Sequence, residues 1–201
     1  VNSRVTVSSN SAFTFSGDHT ISLWAKFNQS WSFHAENLVW KGLHPNPKYT
    51  LLVNQDNSAY GAGKYGLHFQ TLGMDCNKIL DYADISKWFH ITAVRSSNSI
   101  NLYMDGNQVA TSSGTPSVTD VDDDFFIGGA QHPVSGAYNR DVDEVRIYDR
   151  ALSAVEVAAL YQLEITAPNQ PPVFSESNAT FTVAENNASA SFVVTATDSD
   201  A

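Results

Sequence analysis

The sequence predicts an all-β sandwich closed by one short helix, and three observations predict it. Asp105-Gly106 sits between two runs of alternating apolar and polar residues, the strongest short-range hairpin signal, because a type I′ turn needs positive φ at its central residues. Aromatic residues make up 11% of the chain and long helical patterns are few, which suits the pleated surfaces of a sandwich. Ser153 followed three residues later by Glu156 is a capping box, and Val157, Ala158, Leu160 and Tyr161 continue it at helical spacing after a long run of strands.

Taken in order, residues 4–7 and 12–15 alternate weakly and read as edge strands. Thr20–Phe27 places Ile21, Leu23, Ala25 and Phe27 on one face and Trp24 on the other, so both faces of this strand are expected to be covered. Leu38–Gly42 and Tyr49–Val53 flank Leu43–Lys48, which Pro45 and Pro47 keep out of any central ladder. Tyr60–Tyr65 is a glycine-rich turn before the strand Gly66–Gln70; it opens no helix and matches no phosphate-cradling fingerprint. Residues 90–111 read as strand, strand, turn and strand, with Asp105-Gly106 as the turn, and Phe125–Ile127 is a further strand. In Glu144–Tyr148, period-two alternation buries Val145 and Ile147 and turns Arg146 away. Trp24, Trp40 and Trp88 lie in strands and read as core.

The 201 residues suffice for one large all-β domain with some left over. A net charge of −10 with 11 Lys and Arg argues against nucleic acid as a partner, since no basic field is available. Cys76 is the only cysteine, which leaves no intrachain disulfide and reads as a small buried hydrophobe. No apolar run approaches the roughly 20 residues that cross a bilayer. From Ala167 to Ala201 there is no Lys or Arg, and Pro168-Asn169-Gln170-Pro171-Pro172 reads as an extended linker. The organisation expected is a sandwich over 1–165, a linker over 166–175, and an incomplete repeat over 176–201. That repeat's strands, Thr180–Val183 and Ser191–Ala196, are too few for an independent sandwich.

The order Trp88-Phe89-His90, Asp105-Gly106, Phe125-Phe126-Ile127-Gly128, Asp143–Tyr148 and Arg150-Ala151-Leu152-Ser153 resembles the laminin G-like branch of the concanavalin A-like lectins and glucanases. The resemblance covers Trp88–Tyr161 and extends more weakly back to about residue 12. It implies a two-sheet jelly roll. The tail, with Asn169–Phe174, Val183-Ala184-Glu185-Asn186 and Ala196–Ala201, resembles the opening of a cadherin-like repeat. That likeness implies an inter-repeat calcium role for Glu185, Asp198 and Asp200; Gln170 stands where the pattern has an acid, so the site is expected to be incomplete.

Calcium needs several hard oxygen ligands. In the resembled family a cation ties the last long strand to the start of the first, and the matching positions are Asp143 and Asp18. The competing reading is that Asp18 caps a turn and Asp143 pairs with Arg140 or a lysine. Asp122, Asp123 and Asp124 form a second acidic candidate, set against a solvated loop. Sugars need an aromatic platform beside polar groups on a rim, and the loop candidates are Trp31, Tyr60, Tyr65, His132, Tyr138 and Arg140, with Trp31 foremost. Retaining glycosidases need two carboxylates about 5 Å apart. The Glu-x-Asp-x-x-Glu strand that supplies them in relatives is absent here, as is a nucleophile elbow, so no enzyme is expected. The function expected is an extracellular, calcium-supported module binding glycans or a cell-surface protein within a larger adhesin or polysaccharide-associated protein. The alternative is structural: a surface-array subunit that homo-oligomerises by donating its C-terminal strands to a neighbour.

Overall fold

The computed structural model describes residues 4–9, 15, 17–27, 36–42, 48–54, 60–61, 63–81, 86–115, 124–129, 140–166, 173–174 and 196–197. The described strands are β1 (Val5–Val7), β2 (His19–Phe27), β3 (Glu36–Lys41), β4 (Tyr49–Asn54), β5 (Lys64–Thr71), β6 (Met74–Asp81), β7 (Trp88–Ser96), β8 (Ser99–Met104), β9 (Asn107–Ser113), β10 (Phe125–Ile127) and β11 (Arg140–Tyr148). They form two antiparallel sheets, one ordered β1-β10-β3-β4-β5-β6 and the other β11-β2-β7-β8-β9. This is the jelly-roll sandwich that the sequence predicts.

Alternation decides what each strand buries. Ile21, Leu23, Ala25 and Phe27 meet Ile91, Ala93, Ile100, Leu102 and Met104 of their own sheet and Val39, Leu51, Val53, Tyr65, Leu67 and Phe69 of the other in one core. Aromatic contacts span the two sheets: Phe27 meets Tyr65 edge-on at 5.7 Å and His19 tilts against Tyr49 at 5.1 Å. Such pairs contribute about 0.5–1.5 kcal/mol beyond area burial. Cys76 joins this core on β6, its thiol pushed up to about 12 by burial and, secondarily, by the Asp75 charge, so it is an inert filler.

Asp105 and Gly106 turn β8 into β9 with φ of 48° and 76°, as the Asp-Gly signal requires. Leu72 and Gly73 turn β5 into β6 with φ of 47° and 86°. A leucine in the left-handed region is uncommon and carries no turn signal, which is why β6 escapes a reading of the sequence. On β11 the register against β2 shifts between Asp143 and Arg146, with Glu144 at φ 51°. The bulge keeps Val145 and Ile147 against the core.

The helix α1 (Ala154–Thr166) starts at the predicted box. The Ser153 amide donates to Glu156 Oε2 at 2.8 Å, the Glu156 amide donates to Ser153 Oγ at 3.3 Å, and Arg150 adds an ion pair at 2.7 Å. These bonds hold the Glu156 carboxyl down at about 2. Thr20 Oγ1 on β2 donates to the Arg150 carbonyl and accepts from the Leu152 amide, at 2.8 and 2.9 Å, tying the helix entry to the sheet. Val157 and Leu152 then pack on Val94 and Tyr103.

The chain divides into two compact units, Val1–Tyr161 and Gln162–Ala201. In the second, β12 (Val173–Phe174) pairs antiparallel with β13 (Ala196–Thr197). The strand expected at 180–183, all of the strand expected at 191–196 except Ala196, and with them the details of a cadherin-like repeat, lie outside the described residues.

Candidate functional site

Helix α1 closes only part of the outer face of the five-stranded sheet. Tyr161 lies over Trp24 and His90, with ring centroids 6.1 and 5.7 Å away, so Trp24 is covered on its outward side as the sequence implies. His90 is sealed beneath: its Nε2 meets Ser22 Oγ at 2.8 Å and its amide donates to Asp105 Oδ1 at 3.0 Å. Burial, helped by the Arg146 charge, lowers this imidazole to about 4, so it is neutral at physiological pH. Gly106 lets the helix approach, since a Cβ there would sit 3.1 Å from Tyr161 Cδ1.

One step along the same face the cover ends. Asp141, Lys26 and Trp88 are direct cross-strand neighbours on β11, β2 and β7, forming one row across three adjacent strands. Lys26 Nζ lies 3.2 Å from Asp141 Oδ2 and 5.7 Å from the centre of the Trp88 ring. Trp88 is 43% exposed, which corrects its expected place in the core. An indole held by an ammonium, with a carboxylate behind it, offers an apolar plane flanked by a donor and an acceptor. β2 ends, β7 begins and β11 begins at this end of the sandwich; in the sequence Trp31 follows β2, and His132 and Tyr138 precede β11. Those three residues lie outside the described set. Arg140 opens β11 opposite Phe27, next to the row.

Tyr60 belongs to a second polar group, on the outer face of the six-stranded sheet. Its hydroxyl lies 2.6 Å from His68 Nε2, whose other ring nitrogen lies 3.0 Å from Asp75 Oδ1, and Gln70 Nε2 donates to Asp75 Oδ2 at 3.3 Å. A Cβ at Gly66 would come within 2.7 Å of His68 Nε2 and 2.8 Å of Tyr60 Cζ, so that glycine is required for space. Tyr65 is not part of any surface: it is fully buried in the core, because the alternation of β5 turns it inward with Leu67 and Phe69.

The expected metal pair is not formed. Asp143 is level with Trp24, and the offset of six positions from Asp18 to Trp24 separates the two backbone positions by about 20 Å along the strand direction. Asp18 Oδ1 instead accepts from the Ser97 amide at 2.6 Å, and Asp143 Oδ1 from the Glu144 amide at 2.9 Å. Asp124 Oδ1 accepts from the Ser9 amide; Asp122 and Asp123 lie outside the described residues, as do Glu185, Asp198 and Asp200. Among the described residues no three His, Cys, Asp or Glu side chains gather where they could hold one ion. No helix among them is long and apolar enough to cross a membrane.

A family model described as the concanavalin A-like lectin/glucanases superfamily, Laminin_G_3, matches residues 1–158. Among solved structures, the chain is similar to the receptor-binding domain of botulinum neurotoxin C/D mosaic serotype, with a TM-score of 0.62 and 15% identity over 83% of this chain and 41% of that one. It is similar to the binding domain of Paraclostridial Mosquitocidal Protein 1, with a TM-score of 0.61 and 18% identity over 85% of this chain and 43% of that one. The binding domain of botulinum neurotoxin DC in complex with SialylT gives a TM-score of 0.57 at 14% identity, over 83% and 40% of the two chains. The chain thus spans about two-fifths of each of these structures. No curated protein matches it.

Proposed function

The chain belongs to the concanavalin A-like lectin/glucanases superfamily, and on that premise we propose that it is a non-catalytic, extracellular binding module of a larger surface protein, recognising glycans through the Trp88 end of the sandwich. The observation that carries this reading is the row Asp141–Lys26–Trp88, where an exposed indole stands beside an ammonium and a carboxylate. The apolar face of a sugar ring stacks on such a plane while its hydroxyls take the flanking polar groups. The toxin binding domains of the same fold, one of them in complex with SialylT, support glycans as the ligand class. Any calcium support in this proposal falls on the run Asp122–Asp124 and not on Asp18 with Asp143.

The test is a glycan array with the wild-type chain and Trp88→Ala, each with and without EDTA. Loss of the indole plane should weaken the retained glycans at least tenfold, about 1.4 kcal/mol, with an unchanged melting curve. Equal binding by both proteins, or no glycan bound by wild type, would refute the assignment. Binding indifferent to EDTA removes the calcium component alone.

A further inference from the structure

The Trp88 end gathers positive charge in a chain of net charge −10. Lys26 on β2 stands opposite Trp88 on β7, Lys87 immediately precedes the indole, and Arg140 opens β11 beside Asp141. Three of the chain's 11 basic residues thus sit at one rim. Against them the row sets a single carboxylate, that of Asp141. Asp143, the next on that face of β11, lies a step away, level with Trp24, and its Oδ1 accepts from the Glu144 amide.

This charge is within reach of a ligand. The side chains of Lys26 and Asp141 are 30% and 53% exposed, and Trp88 is 43% exposed beside them. An ion pair so open to water adds little to stability, so an incoming anion replaces Asp141 on the ammonium at small cost. Lys26 Nζ also lies 5.7 Å from the centre of the indole ring, so a carboxylate bound there brings its own sugar ring up to the Trp88 plane. The entry to β7 is fixed next to this row: Ser86 holds a left-handed φ of 75°, and its amide donates at 2.8 Å to the carbonyl of Phe27, the residue after Lys26. A serine in that conformation is strained, and such strain gathers at ligand clamps. Here it anchors Ser86 and Lys87, both exposed, directly ahead of Trp88.

Resting on the reading of this end as a glycan site, we propose that it selects acidic sugars, and that Asp141 occupies in the free protein the position a uronate carboxylate takes in the complex. Lys26 receives that carboxylate in a charge-assisted hydrogen bond, and Trp88 receives the apolar face of the ring. A neutral sugar finds the same indole but has nothing to exchange for Asp141. Lys26 is thereby the specificity-determining residue and Asp141 its internal competitor.

Calorimetric titration at low salt tests the selection. The probes are oligogalacturonate, oligomannuronate and a hyaluronan hexasaccharide, each beside its carboxyl-reduced counterpart, with dextran sulfate as a polyanion without carboxylates. Wild type should bind at least one uronate about tenfold tighter than the reduced form, and the advantage should shrink as salt is raised. Lys26→Met, which keeps an aliphatic stem against the indole, should bind the acid and reduced forms alike. Asp141→Asn should widen the preference severalfold, a gain that a damaged fold does not produce. Trp88→Ala should weaken both forms. Equal affinity for acid and reduced forms, both lost in Trp88→Ala, would leave the glycan site standing and overturn its selectivity. So would a preference unchanged in Asp141→Asn, or dextran sulfate bound as tightly as the uronates. Binding of no carbohydrate by wild type would remove the glycan site and this proposal together.

Discussion

At the scale of single residues, the two buried imidazoles link stability to pH. His19 and His90 are held down at about 4 from an ordinary 6.5, chiefly by burial; Arg95 and Lys48 reinforce this at His19 against the opposing influence of the Gly17 carbonyl and Asp18, and Arg146 reinforces it at His90. Unfolding returns each ring to its ordinary value, so between pH 6.5 and 4 the unfolded chain binds more protons than the folded one. Their contribution is therefore complete above pH 6.5 and is lost as pH falls toward 4. At about 1.4 kcal/mol per pH unit, each ring accounts for up to roughly 3 kcal/mol. Urea midpoints measured from pH 7.5 to 4.5 should fall across this window, and His90→Asn, which keeps a hydrogen-bonding group near Ser22, should flatten part of the slope. Glu156 titrates in a lower window, below pH 4.5, so it does not mimic the effect. Midpoints that stay level between pH 6.5 and 4.5 would contradict the buried, neutral assignment of these rings.

At the scale of elements, the join between sheet and helix rests on one hydroxyl. Thr20 Oγ1 accepts from the Leu152 amide and donates to the Arg150 carbonyl, both on the segment that enters α1. Thr20→Val keeps the shape and the strand preference but leaves that buried amide without its acceptor, so chemical denaturation should show a loss of about 1–3 kcal/mol. A loss within a few tenths would place the anchoring elsewhere, in the packing of Val157 and Leu152. The two parts of this join differ in how far the sequence announces them. Ser153 and Glu156 satisfy one another within four residues, so the helix start is local and legible. Thr20 meets its partners from the far side of the chain, and nothing near it signals the contact. The same distinction explains the strands: alternation marks β2, β7 and β8, whereas β6 follows a turn that depends on Leu72 in a left-handed conformation. It also explains the site. Period-two patterning shows that Trp24 and Trp88 each turn one face outward, but only the helix decides that Trp24 is covered and Trp88 is not. Tyr65 reads as a loop residue for the converse reason: its glycine-rich surroundings hide that it is the first inward residue of β5.

At the scale of the whole molecule, the sandwich places different chemistry at its two ends, the exposed Trp88 row at one and the buried His19 and Arg95, directly opposite one another on β2 and β7, at the other. Long-range register alone produces this polarity: Asp18 and Asp143, which family likeness joins in one cation site, are held apart once β11 is paired against β2, because Asp18 precedes the strand and Asp143 lies level with Trp24. The buried clusters that hold both ends are built from residues no later than Leu160. The described secondary structure beyond the helix is the two-residue pairing of β12 with β13, a ladder too short to be stable by itself. Truncation after Thr166 preserves α1 entire and every residue of these clusters, so the shortened chain should fold. Its melting temperature should stay within about 2 °C of the full chain, since in a domain of this size about 1 kcal/mol moves the midpoint by roughly 2–4 °C. Its glycan profile should be retained, because Lys26, Trp88 and Asp141 all lie in the first unit. A fall of 5 °C or more, or loss of the profile with the fold intact, would show that residues 167–201 contribute to the body of the sandwich or to its binding surface.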